Sequence, residues 1–88
     1  MSIENLRDTI DLIDEQILEL FLKRIKCCEK IAELKINYSL PILNEKREEE
    51  VIKKIELKSP KYGEETKRLF LEIMSICRGI QYKIKKGD

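Results

Sequence analysis

Residues 4–37 read ENLRDTIDLIDEQILELFLKRIKCCEKIAELKIN, 34 residues without a proline or a glycine. Ile3, Ile10, Ile17 and Ile31 fall seven apart, and Leu6, Ile13, Leu20, Cys27 and Leu34 form a second row between them. A seam spaced alternately three and four is the period of a helix that packs on other helices. The first row is broken once, at Arg24, where an apolar residue is due. Lys35 follows eleven residues later, turned by only about 20° and lying about 16 Å further along the axis. The far end of an oily helix face therefore carries two cations.

At about 1.5 Å per residue this helix is roughly 50 Å long. A compact monomer of 88 residues has a radius of gyration near ~12 Å and a diameter of roughly 30 Å. The rod overshoots its own domain, and two shorter helices cannot cover its seam. A homodimer that pairs the long helices is the simplest remedy; the alternative is a kink near Lys23–Lys26.

Pro41 stops any helix before it within the connection at residues 37–43. Asn44 is a good N-cap for a second helix over about 45–58, with Glu45 and Glu48 near its positive end. Its apolar face is Val51, Ile52 and Ile55, with Arg47 and Glu48 one turn ahead. Ser59-Pro60-Lys61-Tyr62-Gly63 is a second break. A third helix is predicted over about 64–85, with a stripe of Leu69, Phe70, Ile73, Met74, Ile76, Cys77, Ile80 and Ile84, bordered by Gln81. Gly79 costs this helix about 1 kcal/mol against alanine, and its bare backbone suits a close helix approach. The fold expected is all-α: one long and two shorter helices in a single domain over 1–88, its long helix paired with that of a second copy.

Composition excludes several functions. Eighteen Lys and Arg stand against 17 Asp and Glu, a net charge of +1, which is no nucleic-acid grip. The start has no signal-peptide layout, and no apolar run approaches the ~18 residues of a membrane span. Cys27, Cys28 and Cys77 sit inside helical patterns, are odd in number and read as reduced thiols of a cytoplasmic protein. With no histidine and no CxxC, neither a zinc site nor histidine acid–base chemistry is expected.

Taken singly, each odd residue has an ordinary explanation. Arg24 sets register in an interface, Lys35 and Arg47 snorkel to water, Glu48 serves the helix dipole, and Gln81 bonds a nearby backbone. Taken together, Arg24, Lys35, Arg47 and Gln81 lie on or beside the core-facing stripes of three helices. Packing those stripes gathers three cations and an amide in one interior, at a cost that a bound anion would offset. Arg7 lies about 25 Å before Arg24 and is turned by roughly 100°; it is out of reach of Arg24's site on a straight helix, and an antiparallel partner would bring the equivalent site within its reach. The chain shows no nucleophile with a base, no metal set and no phosphate loop. Cations grip carboxylates, and an amide meets an oxygen on which charge builds. Such equipment orients a dianion and stabilises a polar transition state, which suits a rearrangement better than a hydrolysis.

Over nearly its whole length the sequence resembles the all-helical class of chorismate mutases. The segments that carry the likeness are LRDTIDLIDEQILELFLKR at 6–24, the lysine of IAELK at 31–35, PILNEKREEEVI at 41–52 and LFLEIMSICRGIQ at 69–81. The resemblance implies a Claisen rearrangement of chorismate to prephenate, the committed step toward Phe and Tyr, in an intertwined homodimer of three-helix subunits, a helical bundle with two sites and no cofactor. By that analogy Arg24 and Arg47 hold substrate carboxylates, Arg7 arrives from the other subunit, Lys35 and Gln81 face the breaking ether oxygen, and Glu48 receives the ring hydroxyl. Asn44 stands where Asp is common, and Cys77 stands where Ser is common near a carboxylate. Gln81 is an amide where some relatives carry Glu, so no acidic optimum is expected. The alternatives are an isochorismate pyruvate-lyase on the same scaffold and a non-catalytic helical dimerisation module.

Overall fold

The computed structural model describes residues 2–87, so Met1 and Asp88, part of the expected start and frayed end, lie outside the described residues. Helix α1 runs unbroken over Ile3–Asn37, with no kink at 23–26. The Oγ of Ser2 caps it by accepting the Asn5 N–H at 3.1 Å. Helix α2 spans Glu45–Lys58, and the Asn44 side chain accepts the Arg47 N–H at 3.0 Å. A 3-10 turn over Pro60–Tyr62 leads into helix α3, Gly63–Lys86. Gly87 closes α3 in the left-handed conformation at φ 82°, which costs glycine nothing.

Helix α3 packs on both α1 and α2. Arg24 meets Cys77 and Cys28 meets Gln81, so α1 and α3 run in the same direction in a steady register. Glu48 meets Arg78 near the other end of α2, and α2 returns antiparallel to α3. At about 1.5 Å per residue, the 35 residues of α1 account for nearly all of the 54 Å long axis of a 54 × 27 × 14 Å body. The radius of gyration is 16.2 Å, well above the ~12 Å of a compact chain of this size.

The buried core is small: Cys28, Ala32, Ile42, Ile52, Met74 and Cys77, with Gln81 beside them. Three sequence expectations need correction within this protomer. Cys27, a member of the seam, is exposed, and its neighbour Cys28 is buried. The face of α1 turned to α3 is Phe21, Arg24, Ile25, Cys28, Ala32 and Lys35, a stripe rotated from the seam. On α3, Leu69 and Ile76 are exposed while Met74 and Cys77 are covered. A Cβ added at Gly79 meets nothing within 4 Å, so that glycine serves no close approach between these helices.

Candidate active site

A cavity of about 300 Å³ opens between the C-terminal half of α1, the start of α2 and the second half of α3. Arg24, Lys35, Asn44, Arg47, Glu48, Cys77 and Gln81, seven of the eight residues singled out from sequence, line it. The eighth, Arg7, is exposed on the N-terminal half of α1 and is not among the lining residues. Ile31, Ile42, Val51 and Met74 supply the apolar part of the wall.

Arg24 is half-buried, and its Nη1 donates to Cys77 Sγ at 3.0 Å and approaches Cys28 Sγ at 3.7 Å. Thiol sulfur is a weak acceptor. Burial, with the Cys77 side chain alongside, pushes the Cys28 thiol up to about 12. Cys28 is therefore neutral at physiological pH and supplies no counter-charge.

Lys35 is placed by the end of its helix. Ser39 takes a left-handed φ of 54°, and the Leu40 N–H turns back to the Lys35 carbonyl at 2.7 Å. That hook buries Ile42, whose carbonyl accepts from Lys35 Nζ at 2.7 Å. An ammonium has three donors, so two remain. Gln81 is 7% exposed, and its Nε2 donates to the Cys28 carbonyl at 2.9 Å. The backbone bond foreseen as its ordinary role is thus present, and it leaves one N–H and the amide oxygen.

Two members differ from expectation. Arg47 is exposed rather than interior; its side chain is 68% accessible and sits 3.8 Å from Glu50 on the next turn. It lines the mouth of the cavity because α2 begins there and its first turn faces water. Glu48 is not a free carboxylate: Arg78 Nη1 of α3 donates to both of its oxygens. Arg78 was passed over in the sequence because it lies one residue off the apolar stripe. Its place four residues after Met74 and three before Gln81 was the available signal.

The electrostatic balance is uneven. Among the described residues neither Arg24 nor Lys35 forms an ion pair, and Glu48, the one carboxylate lining the cavity, is held by Arg78. Two half-buried cations and a buried amide therefore face a concave space, a donor set built for an anion with several oxygens. No group of three or more potential metal ligands occurs among the described residues. A second, almost wholly apolar groove of about 420 Å³ lies between Ile17, Leu20 and Phe21 of α1 and Leu69, Phe70 and Ile73 of α3.

The chain is similar to the bifunctional chorismate mutase/prephenate dehydratase of Aquifex aeolicus, 38% identical over 90 residues. The proteins of the same name from Stutzerimonas stutzeri and Pseudomonas aeruginosa are 38% and 36% identical over 92 and 91 residues. Each alignment covers 96% of this chain and 25% of the relative, so the chain spans about a quarter of the length of these relatives. No solved structure matches it significantly. The family model described as chorismate mutase type II matches residues 6–82, and the chain belongs to that family.

Proposed function

We propose that the chain catalyses the Claisen rearrangement of chorismate to prephenate, as a homodimer in the cytoplasm and as a single domain over 1–88. One observation carries this reading: Arg24 and Lys35 line a concave space without carboxylate partners, while the carboxylate beside them is already paired. A dicarboxylate guest supplies what they lack. In the rearrangement the ether C–O bond breaks as a C–C bond forms within one molecule, so no group needs to be transferred to the protein. What the site contributes is orientation and stabilisation of the charge that builds on the ether oxygen. The remaining donors of Lys35 and Gln81 suit that oxygen, Arg24 and Arg47 suit the carboxylates, and Glu48 suits the ring hydroxyl. Cys77 is occupied with Arg24, and the Asn44 side chain with its helix cap, so their roles are indirect.

The dimer is supported by the exposed seam of α1: Ile3, Leu6, Ile10, Ile13, Ile17 and Leu20 are all open to solvent in one protomer. Such a stripe is rarely left bare. A partner helix laid along it is also the route by which Arg7 reaches a site that it cannot reach in its own protomer.

The purified protein given chorismate should yield prephenate, and given isochorismate should yield no salicylate. Lys35→Ala should lose roughly 10²-fold or more in kcat, as for removal of one transition-state donor. Turnover within about threefold of the parent would remove Lys35 from the mechanism. Mixing inactive Arg7→Ala with inactive Lys35→Ala should restore activity in hybrid dimers, and no recovery would argue against a shared site.

A further inference from the structure

Glu48 creates a problem that the proposed reaction has to solve. It is a carboxylate within an anion site, and an unpaired carboxylate there would repel a dianion and compete with it for Arg24, Lys35 and Arg47. The neighbouring cation on its own helix, Arg47, lies against Glu50 instead. Arg78 reaches across from α3, and one of its nitrogens contacts both carboxylate oxygens, with the two side chains only 30% and 24% accessible.

We propose that Arg78 is a positioning residue of this site, acting through Glu48. It holds the carboxylate in one place and cancels its charge toward the guest, leaving the other cations of the cavity for the guest's carboxylates. An ionised carboxylate has about four acceptor positions, so Glu48 clamped by one guanidinium nitrogen still accepts a hydroxyl. The clamp thereby converts a repulsive group into a hydroxyl reader, with the substrate class that of a hydroxylated dicarboxylate. A purely structural role explains less, because both partners of this pair line the cavity itself. The inference rests on the function proposed above.

The test is a cycle of Arg78→Met, Glu48→Gln and the double variant, assayed with chorismate in the dimeric protein. Arg78→Met should raise KM about 10-fold or more with kcat within about threefold, the effect of stranding a partly buried charge. Arg78→Lys, which keeps the charge on a single bond, should recover part of the loss. In the Glu48→Gln background the same Arg78→Met change should move KM less than about twofold, because no carboxylate is left to clamp. Arg78→Met with an unaltered KM, or with an equal KM rise in both backgrounds, overturns the proposal. If Arg78→Met lowers the thermal midpoint too far to assay, Arg78→Lys in the two backgrounds reads the same coupling. A parent without chorismate turnover takes down the functional reading and this one with it; turnover without coupling takes down only this one.

Discussion

The two halves of α1 are one continuous helix and are finished in opposite ways. From Ile3 to Leu20 every residue is exposed, including eight large aliphatic side chains. From Phe21 to Lys35 the helix turns a stripe toward α3, and that stripe includes two cations, half-buried. Oil faces outward where the helix projects, and charge faces inward where it is packed. Each half therefore lacks something that the chain does not supply: the first a protein surface, the second an anion. Helix propensity does not distinguish them, because both halves lack glycine and proline. What distinguishes them is how closely α3 packs: beside Ile17 and Leu20 it leaves an open apolar groove, and from Phe21 onward it covers a stripe.

The sharpest way to break this comparison is to charge the projecting half. Ile10→Glu with Ile17→Glu should give a 10.5 kDa monomer, since each isoleucine contributes about 1.5–3 kcal/mol when covered. Sedimentation that still shows a dimer would mean the seam is not the interface. Next comes Gln81→Leu in the packed half, which removes the buried hydrogen bond to the Cys28 carbonyl at about 0.5–1.5 kcal/mol. The thermal midpoint should fall by several degrees for each ~1 kcal/mol. Gln16→Leu, on the exposed half, should leave stability within ~0.5 kcal/mol. Equal shifts for the two would erase the difference between the halves.

The smallest effect concerns the thiols. Cys28 is pushed from 9.0 in the unfolded chain to about 12 by burial, so the fold favours its protonated form. The sign follows from linkage: below about pH 9 neither state has lost that proton, and between 9 and 12 only the unfolded chain gains by losing it. Stability should thus fall with a measurable slope as pH rises above 9. Urea midpoints at pH 8 and 10.5 should show the slope in the parent and in Cys27→Ala, and a weaker slope in Cys28→Ala. An unchanged slope in Cys28→Ala would show that the thiol is not held neutral.

Much of the fold was legible because helices are local. Absence of breakers from 4 to 37, Asn44 before Glu45 and Pro60 after Ser59 placed all three elements to within a residue of where they lie. The residues of the cavity were legible for a related reason. A cation at a position where the period calls for an apolar side chain is visible before anything is folded, as at Arg24, and Lys35 lies eleven residues on at nearly the same angle. Arg47 was read as interior because its spacing matches Ile55 and Val51, but its side chain lies in solvent beside Glu50. Arg78 was missed because its partner stands 30 residues away on an antiparallel helix.

By itself the sequence determined which segments are helical, that α1 is too long and too apolar for the rest of the chain to cover, and that charge is set against its seam. Those properties depend on neighbours three and four residues apart. Only the tertiary structure decided that Cys28 rather than Cys27 turns inward, that Glu48 belongs to Arg78, and that Lys35 holds the Ile42 carbonyl. The rotation of a helix about its axis and its register on another are set by how side chains interlock across the contact. No period along one strip of chain encodes that interlocking.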